Sequence, residues 1–199
     1  MYKKLCNRTL ASNAGFTLAE LLISLLILGE IATFSIPKII YAQQNSQYNA
    51  IAKEGIGTVM GAYQKVQLAG NLSGSTTIGD LTPYMNYIST STSLVVDDIQ
   101  TNGSFACSST YPCIIFHNGS TLHYSGASFG GTSTTNANWF HIDPNGAYSG
   151  TTNGPDKAVG LFLYYNGRIT DEGNILTGTT NSSSSYTANS TKVPPWFSW

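Results

Sequence analysis

The first feature of the sequence is a continuous apolar run at residues 16–40. Its length suits a membrane-spanning helix, which needs about twenty apolar residues. Glu20 and Glu30 interrupt the run, and each central charge costs roughly 2.5 to 3.5 kcal/mol in a membrane. Each carboxylate therefore needs a partner or a proton.

A second helical pattern follows directly on this run. Apolar residues from Tyr48 to Val66 recur at spacings of three and four, which is typical of a helix with one apolar face. No turn cluster separates the two segments, so we predict one long helix that ends near Ala69 at a Gly-Asn pair. Its first half would cross a membrane, and its second half, residues 41–70, would present an amphipathic stripe to a globular head.

The following chain predicts an irregular crossover and then short antiparallel strands. Residues 71–93 are rich in Ser, Thr and Gly. The predicted strands are 113–117, 121–124, 138–143, 159–165 and a short one at 168–169, with Asn-Gly turns after the first and fourth. The predicted fold class is α+β, in which the long helix packs on a small antiparallel β-sheet head covering residues 71–176.

The chain ends in a low-complexity stretch and an aromatic tail. Residues 177–191 are dominated by Thr, Asn and Ser, a composition that predicts a linker or loose loop. The tail that follows, Val193-Pro-Pro-Trp-Phe-Ser-Trp199, has two interpretations. Its aromatic side chains either bind a partner or glycan, or fold back over the sheet.

Charge indicates how the chain is oriented. Charged residues make up 10% of the sequence and the formal net charge is −1, which gives no electrostatic footprint for nucleic acid. Basic residues alone precede the apolar run, at Lys3, Lys4 and Arg8. A positive flank stays in the cytoplasm, so the head is expected outside it. Residues 31–38 offer only a poor small-x-small site, so ordinary signal cleavage after the run is not expected.

The residues Gly15-Phe16-Thr17-Leu18-Ala19-Glu20, between a Lys-containing leader and a Leu/Ile run, resemble those of type IV prepilins and type II secretion pseudopilins. The resemblance is specific over Gly15 to Ile40 and weak beyond. It implies that prepilin peptidase, a membrane aspartyl protease, removes the leader 1–15 by cutting between Gly15 and Phe16 and then N-methylates Phe16. The implied location is the inner (cytoplasmic) membrane and then a pilus, pseudopilus or cell surface.

The same resemblance implies the partners of the chain and a role for the first carboxylate, Glu20. The partners would be prepilin peptidase, identical or related pilin subunits, an inner-membrane assembly platform and membrane lipid. Cleavage creates an amine at Phe16, which in a staggered filament can pair with Glu20 of a neighbouring subunit. Because an unpaired buried carboxylate is strongly penalised, the pair would specify the register between helices.

Two further features of the apolar run concern its polar and helix-weakening residues. Glu30 departs from the family pattern and is either protonated, paired between subunits, or merely tolerated. Gly29 loosens the helix, and Pro37 removes the backbone donor for the Thr33 carbonyl. By resemblance to type IV pili, the segment from Gly29 to Pro37 is expected to lose helicity on assembly.

Cysteine usage is consistent with an exported head. Cys6 lies in the leader, so Cys107 and Cys113 remain as an isolated pair that could close a small loop before a predicted strand. We expect a disulfide between them. The alternatives are a free pair or half of a metal site, although no second Cys/His pair has zinc-ligand spacing.

One turn is a candidate cation site. Residues 142–146, Ile-Asp-Pro-Asn-Gly, resemble a turn in many pilin-like heads, and a loop of this type binds calcium in some pseudopilins. Oxygen atoms of Asp143, Asn145 and Asp156 would suit that cation. The alternative is turn chemistry, in which Asp and Asn bond their own backbone. No other cofactor is expected.

Catalysis is not expected. Residues 126–130, Gly-Ala-Ser-Phe-Gly, match a serine-hydrolase motif, but a flexible run follows the serine and no acid lies between Ser128 and the last histidine, His141. The histidines His117, His123 and His141 could gather across a sheet to bind metal, or be ordinary packing and surface residues.

Two functions therefore stand. The first is a structural subunit of a type IV pilus or secretion pseudopilus. The alternative is a membrane-anchored extracytoplasmic binding protein with one membrane-spanning segment.

Overall fold

The computed structural model describes residues 16–99, 103–146, 148 and 158–199. It divides into two compact units, of which the first ends at Tyr41 and the second runs from Ala42 to Trp199. The predicted leader 1–15, which includes Gly15, and Asp156 of the candidate calcium site lie outside the described residues.

One long helix, α1, covers Leu18–Leu68. The predicted single helix is confirmed and ends one residue before the predicted end. Gly70 has a φ of 73°, and two backbone bonds close the helix end: Gly70 N donates to Gln67 O at 3.0 Å, and Asn71 N donates to Val66 O at 3.1 Å. This pattern is a Schellman motif, which requires a residue of positive φ and therefore favours glycine.

The first unit contains the apolar part of α1. Every large apolar side chain in residues 16–41 is between 46% and 80% exposed. The helix is long and apolar enough to cross a membrane, with a mean hydropathy of 1.9 in its most apolar window, and none of that window is buried within the protein. An apolar surface on all sides of a helix is unfavourable in water.

The second unit contains the head. Among its described residues, six strands form one antiparallel sheet in the order β1-β4-β5-β6-β7-β8, and β2 and β3 form a separate antiparallel pair. The strands are β1 Ser89–Ser91, β2 Val95–Asp97, β3 Ser104–Ala106, β4 Cys113–Ile115, β5 Thr121–Tyr124, β6 Ala137–Asp143, β7 Val159–Tyr164 and β8 Ile169–Asp171. A 3₁₀ helix covers Gly79–Tyr84 and another covers Ser190–Lys192. The predicted α+β class with an antiparallel sheet is confirmed.

Strands β4 to β8 match the predicted strands closely, whereas β1, β2 and β3 were not predicted. The three missed strands have three residues each, too short for a polar and apolar alternation to be visible. β1 pairs with β4 at the edge of the large sheet, and β2 pairs with β3. The expected irregular crossover therefore contains a 3₁₀ helix and a sheet strand.

One face of the large sheet packs against the second half of α1. The buried α1 residues are Ala52, Gly55, Val59, Ala62, Tyr63 and Val66. All of them except Gly55 share an apolar core with Leu122 of β5, Ile142 of β6 and Leu161 of β7. The Tyr63 hydroxyl also donates a 2.5 Å hydrogen bond to the Tyr165 carbonyl. The amphipathic pattern thus buries its apolar stripe on the sheet.

The opposite face of the large sheet is also covered. The β2–β3 pair contributes Val96 and Phe105, which cluster with the two cysteines. Ile175 and Tyr186 cover Phe162 of β7 on the same side. Because successive side chains of a strand point to opposite faces, strands buried on both faces are apolar almost throughout, as β7 is.

The C-terminal segment differs from the expected loose linker. The Thr180 carbonyl accepts a hydrogen bond from Ala137 N at 2.9 Å, and Thr179 is fully buried. In the tail, Trp196 and Phe197 are buried in the α1 core, which agrees with the interpretation that the aromatic residues fold back. The ring of Trp196 lies 5.9 Å from that of Tyr48 on α1. Packing of Trp196 and Phe197 thus helps to hold the low-complexity residues 177–191 against the head.

The close approach of α1 to the sheet at Gly55 generates a prediction. A Cβ atom there would lie 2.8 Å from Ile142 Cδ1, whereas one at Gly57 would meet nothing within 4 Å. Gly55→Leu should lower the free energy of unfolding of the head by about 1–3 kcal/mol through overpacking. Gly57→Leu is the matched control, and it should stabilise the helix by about 0.5–1 kcal/mol because leucine is a better helix former. Chemical unfolding of the full chain in detergent, followed by near-ultraviolet circular dichroism, compares them. Equal effects would contradict the packing.

Candidate functional site

The start of α1 is a capping box formed by Thr17 and Glu20. Glu20 Oε2 accepts hydrogen bonds of 2.8 Å from both the backbone N and the hydroxyl of Thr17, and Glu20 N donates to Thr17 Oγ1 at 3.3 Å. This reciprocal arrangement satisfies backbone donors that the first turn of a helix leaves open. This capping role was not predicted, although Thr-x-x-Glu before an apolar run is its sequence signature.

The capping box leaves part of the Glu20 carboxylate available for another donor. Both accepted bonds use Oε2, and within the described part of the chain no hydrogen bond reaches Oε1. Phe16, the predicted new N-terminal residue, is 80% exposed just before the capping box. Glu20 thus can hold its own helix start through one oxygen and meet an external amine through the other.

The segment from Gly29 to Pro37 is helical in this structure. The Thr33 hydroxyl donates to the carbonyls of Gly29 at 3.1 Å and Glu30 at 2.7 Å. Pro37 has no N–H for the Thr33 carbonyl. The predicted loss of helicity concerns an assembled filament and stays a prediction.

The expected disulfide between Cys107 and Cys113 is present, with the Cα atoms 5.6 Å apart. Cys107 follows β3, and Cys113 begins β4. The bridge therefore ties the β2–β3 pair to the large sheet. Both cysteines are buried, so the bridge is part of a small core.

Two further contacts hold the β2–β3 pair on the sheet. The backbone N of Asp97 in β2 donates a 2.9 Å hydrogen bond to Asp143 Oδ2 in β6. The ring of Phe105 in β3 stacks on His123 of β5, with centroids 4.1 Å apart and planes 5° from parallel. Because the contacts involve both strands of the pair, the residue that follows β2, Asp98, is fixed relative to the sheet.

This attachment brings two histidines and an aspartate together in the head. His123 and His141 are direct cross-strand partners on β5 and β6, so their side chains lie on the same face. His123 Nε2 lies 2.6 Å from His141 Nδ1. Asp98 Oδ1 lies 3.2 Å from His141 Nδ1 and 4.0 Å from His123 Nε2. We call these three residues the His-His-Asp cluster.

The protonation of the cluster follows from its burial. Desolvation, together with the charge of His141, holds the pKa of His123 well below its usual value. Burial favours a raised pKa at Asp98, but the hydrogen bond and charge of His141 lower that pKa on balance. His123 is therefore neutral and Asp98 ionised near neutral pH, which leaves lone pairs on both residues.

A cavity of about 560 Å³ adjoins the cluster. Two cluster members, Asp98 and His141, line it. The other lining side chains are mostly aromatic or charged, and they include Phe105, Tyr111, Trp139, Tyr186, Glu172 and Lys192. Burial raises the pKa of Glu172 above its usual value, and the charge of Lys192 partly offsets this rise. The cavity lining thus combines charged side chains with aromatic rings.

The third histidine lies elsewhere. His117 Nε2 lies 3.2 Å from Asn86 Oδ1 at the exposed end of the β4–β5 hairpin. Asp98 was not a sequence candidate at all, because nothing local indicates that the residue after β2 meets β5 and β6. The pairing of His123 with His141 could have been found by aligning the two strands through alternation of their apolar residues.

The candidate calcium turn contains the bonds of ordinary turn chemistry. Asp143 Oδ1 accepts from the backbone N of Asn145 and of Gly146, both at 3.2 Å. Burial raises the pKa of Asp143 to about 7, against backbone donors that favour its ionised form. Since Asp156 lies outside the described residues, calcium binding stays a prediction.

No family model matches the chain, and neither a curated protein nor a solved structure is significantly similar to it.

The role of the disulfide in fixing the β2–β3 pair is testable. Replacing both cysteines, Cys107→Ser with Cys113→Ser, should lower the free energy of unfolding by about 2 kcal/mol, because the unfolded chain regains the entropy of a short closed loop. Amide hydrogen exchange should accelerate more at Asp97, whose N–H bonds Asp143, than along β6. Equal acceleration at both places would mean that the bridge does not locally hold the pair.

Proposed function

We propose that this chain is a structural subunit of a type IV pilus or type II secretion pseudopilus, processed by prepilin peptidase and assembled through the first half of α1. The single observation that carries the proposal is an apolar helix, exposed on every side, whose first turn contains Glu20. The proposal joins that observation to the prepilin-like residues from Gly15 to Glu20.

The exposed helix supports the proposal because its surface requires an apolar environment. Lipid provides that environment for a subunit before assembly, and neighbouring helices provide it in a filament. An apolar helix that only needed to remain in lipid would equally suit a simple membrane anchor. A carboxylate within the first turn is the feature that an anchor does not need, because it raises the free energy of insertion.

The position of Glu20 supports a pairing role. Cleavage after Gly15 would place a free amine at Phe16, and a neighbouring subunit displaced along the filament would bring that amine to a Glu20 carboxylate. One oxygen of Glu20 stays bonded to Thr17, while the other receives the amine. A shared pair replaces two isolated charges and penalises other registers.

The head is compatible with export. A buried disulfide is typical of proteins that mature in an oxidising compartment, and basic residues precede the apolar run. The alternative function, an anchored binding protein, draws on the cavity beside the His-His-Asp cluster. Only the filament function requires Glu20 to be charged, so a charge-specific test separates the two.

Glu20→Gln is the central variant. Glutamine keeps an oxygen that can accept the Thr17 bonds but loses the charge that pairs with the neighbour's amine. We expect normal membrane accumulation and a strong loss from sheared surface filaments, measured by quantitative immunoblotting of both fractions. Thr17→Val removes the capping hydroxyl and keeps the charge, so it should cost about 1 kcal/mol of helix stability and impair assembly less.

Glu30→Gln controls for the loss of any carboxylate in the apolar run, and we expect a mild defect. If Thr17→Val lost as much assembly as Glu20→Gln, capping would be the main role of Glu20. Incorporation of Glu20→Gln at the wild-type level would contradict the pairing mechanism.

A further inference from the structure

We propose that the His-His-Asp cluster of Asp98, His123 and His141 is a binding site for a divalent transition metal of the zinc type. The proposal concerns the head and does not depend on filament assembly.

The geometry of the three ligand atoms fits one ion. They are separated by 2.6, 3.2 and 4.0 Å. The circle through three points with these separations has a radius of about 2.0 Å, and zinc lies about 2.0 Å from imidazole nitrogen and carboxylate oxygen. A single position is therefore at bonding distance from all three atoms.

The close approach of two ring nitrogens and a carboxylate oxygen suits a cation. A neutral imidazole carries one N–H, and two N–H groups cannot face each other across 2.6 Å. An N–H on His141 Nδ1 would be shared between His123 Nε2 and Asp98 Oδ1. A metal ion accepts lone pairs from both nitrogens and the carboxylate at once. It also compensates the charge of Asp98, whose side chain is only 15% exposed.

The types of ligand atom select the class of metal. Two imidazoles and one carboxylate suit zinc and neighbouring transition metals, whereas calcium and magnesium prefer sites made of oxygen. This site is thus chemically different from the calcium turn predicted at Asp143 and Asn145.

The protein holds the ligands in place before any metal arrives. His123 is fully buried and stacked under Phe105. Asp98 N donates to the Gly103 carbonyl at 2.8 Å, and Asp98 Oδ1 accepts a 2.8 Å bond from Ile99 N. Such preorganisation reduces the entropy lost when a ligand binds.

Close packing beside the cluster depends on Gly160, the cross-strand partner of His141 on β7. A Cβ atom at Gly160 would lie 2.7 Å from Glu172 Cγ and 3.1 Å from Ile99 Cγ2. The absence of a side chain therefore lets Glu172 and Ile99 pack close to the cluster. Both residues line the adjoining cavity.

The cavity provides access to a further coordination position. Three protein ligands leave a zinc-type ion at least one position for water or another small ligand. Asp98 and His141 form part of the cavity wall, so that position is reachable from the cavity rather than from the buried His123 side. The site accordingly resembles open zinc sites more than closed structural ones.

Zinc titration of the full chain in detergent, after removal of metal by chelation, tests the proposal by isothermal calorimetry. We expect one Zn²⁺ per chain. Asp98→Asn and His141→Gln should each weaken binding by at least about tenfold, since each removes a ligand. His117→Gln is the matched control because it removes an exposed histidine outside the cluster, and it should leave the affinity unchanged.

Co²⁺ provides a second readout that needs no variant. Trp139 lies 4.7 Å from His141 between ring centroids, so Co²⁺ bound in the cluster should quench tryptophan fluorescence and show intense visible bands of low coordination number. Zn²⁺ should reverse both signals.

Mass spectrometry of the intact disulfide-bonded chain and near-ultraviolet circular dichroism verify that the variants are folded. Absence of stoichiometric Zn²⁺ binding by the wild-type chain, or equal weakening by His117→Gln and a folded Asp98→Asn, would overturn the proposal. If the variants do not fold, the wild-type Co²⁺ signals decide the matter.

Discussion

The head depends on the contact between one face of α1 and one face of the large sheet, which includes the tight packing of Gly55 against Ile142. Because strand side chains alternate between faces, placing Ile142 and Leu122 against α1 places His141 and His123 on the other side. A slip of one residue would exchange the two sets and put the histidines into the apolar core. The contact with α1 thus determines the position of the His-His-Asp cluster on the far face of the sheet. The disulfide holds the β2–β3 pair so that Asp98 lies beside the two histidines.

The same helix has two kinds of surface, and this difference underlies the proposed function. From Ala52 to Val66 one face is buried and the others are polar or exposed, as expected for a helix packed on a sheet. In residues 16–41 all faces are apolar and exposed. The sheet buries the apolar face of the second half, and only lipid or other helices provide an apolar environment for the first. In the proposed filament, Glu20 is a polar group whose place depends on its neighbours, with Thr17 supplying part of its hydrogen bonding.

The elements with strong local signals could be predicted from the sequence. The apolar run and its three- and four-residue continuation predicted α1, and Asn-Gly turns between apolar segments predicted the hairpins of β4 with β5 and β7 with β8. The spacing of Cys107 and Cys113 indicated the disulfide. The β2–β3 pair and Asp98 could not be predicted, since three-residue strands have too little pattern and their location is fixed by distant contacts such as Asp97 with Asp143. The folded position of residues 177–199 likewise follows from tertiary packing, which composition does not report.

The central claim is that the apolar helix belongs to a processed filament subunit, and the most direct measurement is the intact mass of the native chain in membrane and sheared surface fractions. The account predicts a chain that begins at methylated Phe16 in both fractions and has lost residues 1–15. A chain that retains its leader in a host with active prepilin peptidase would contradict the account.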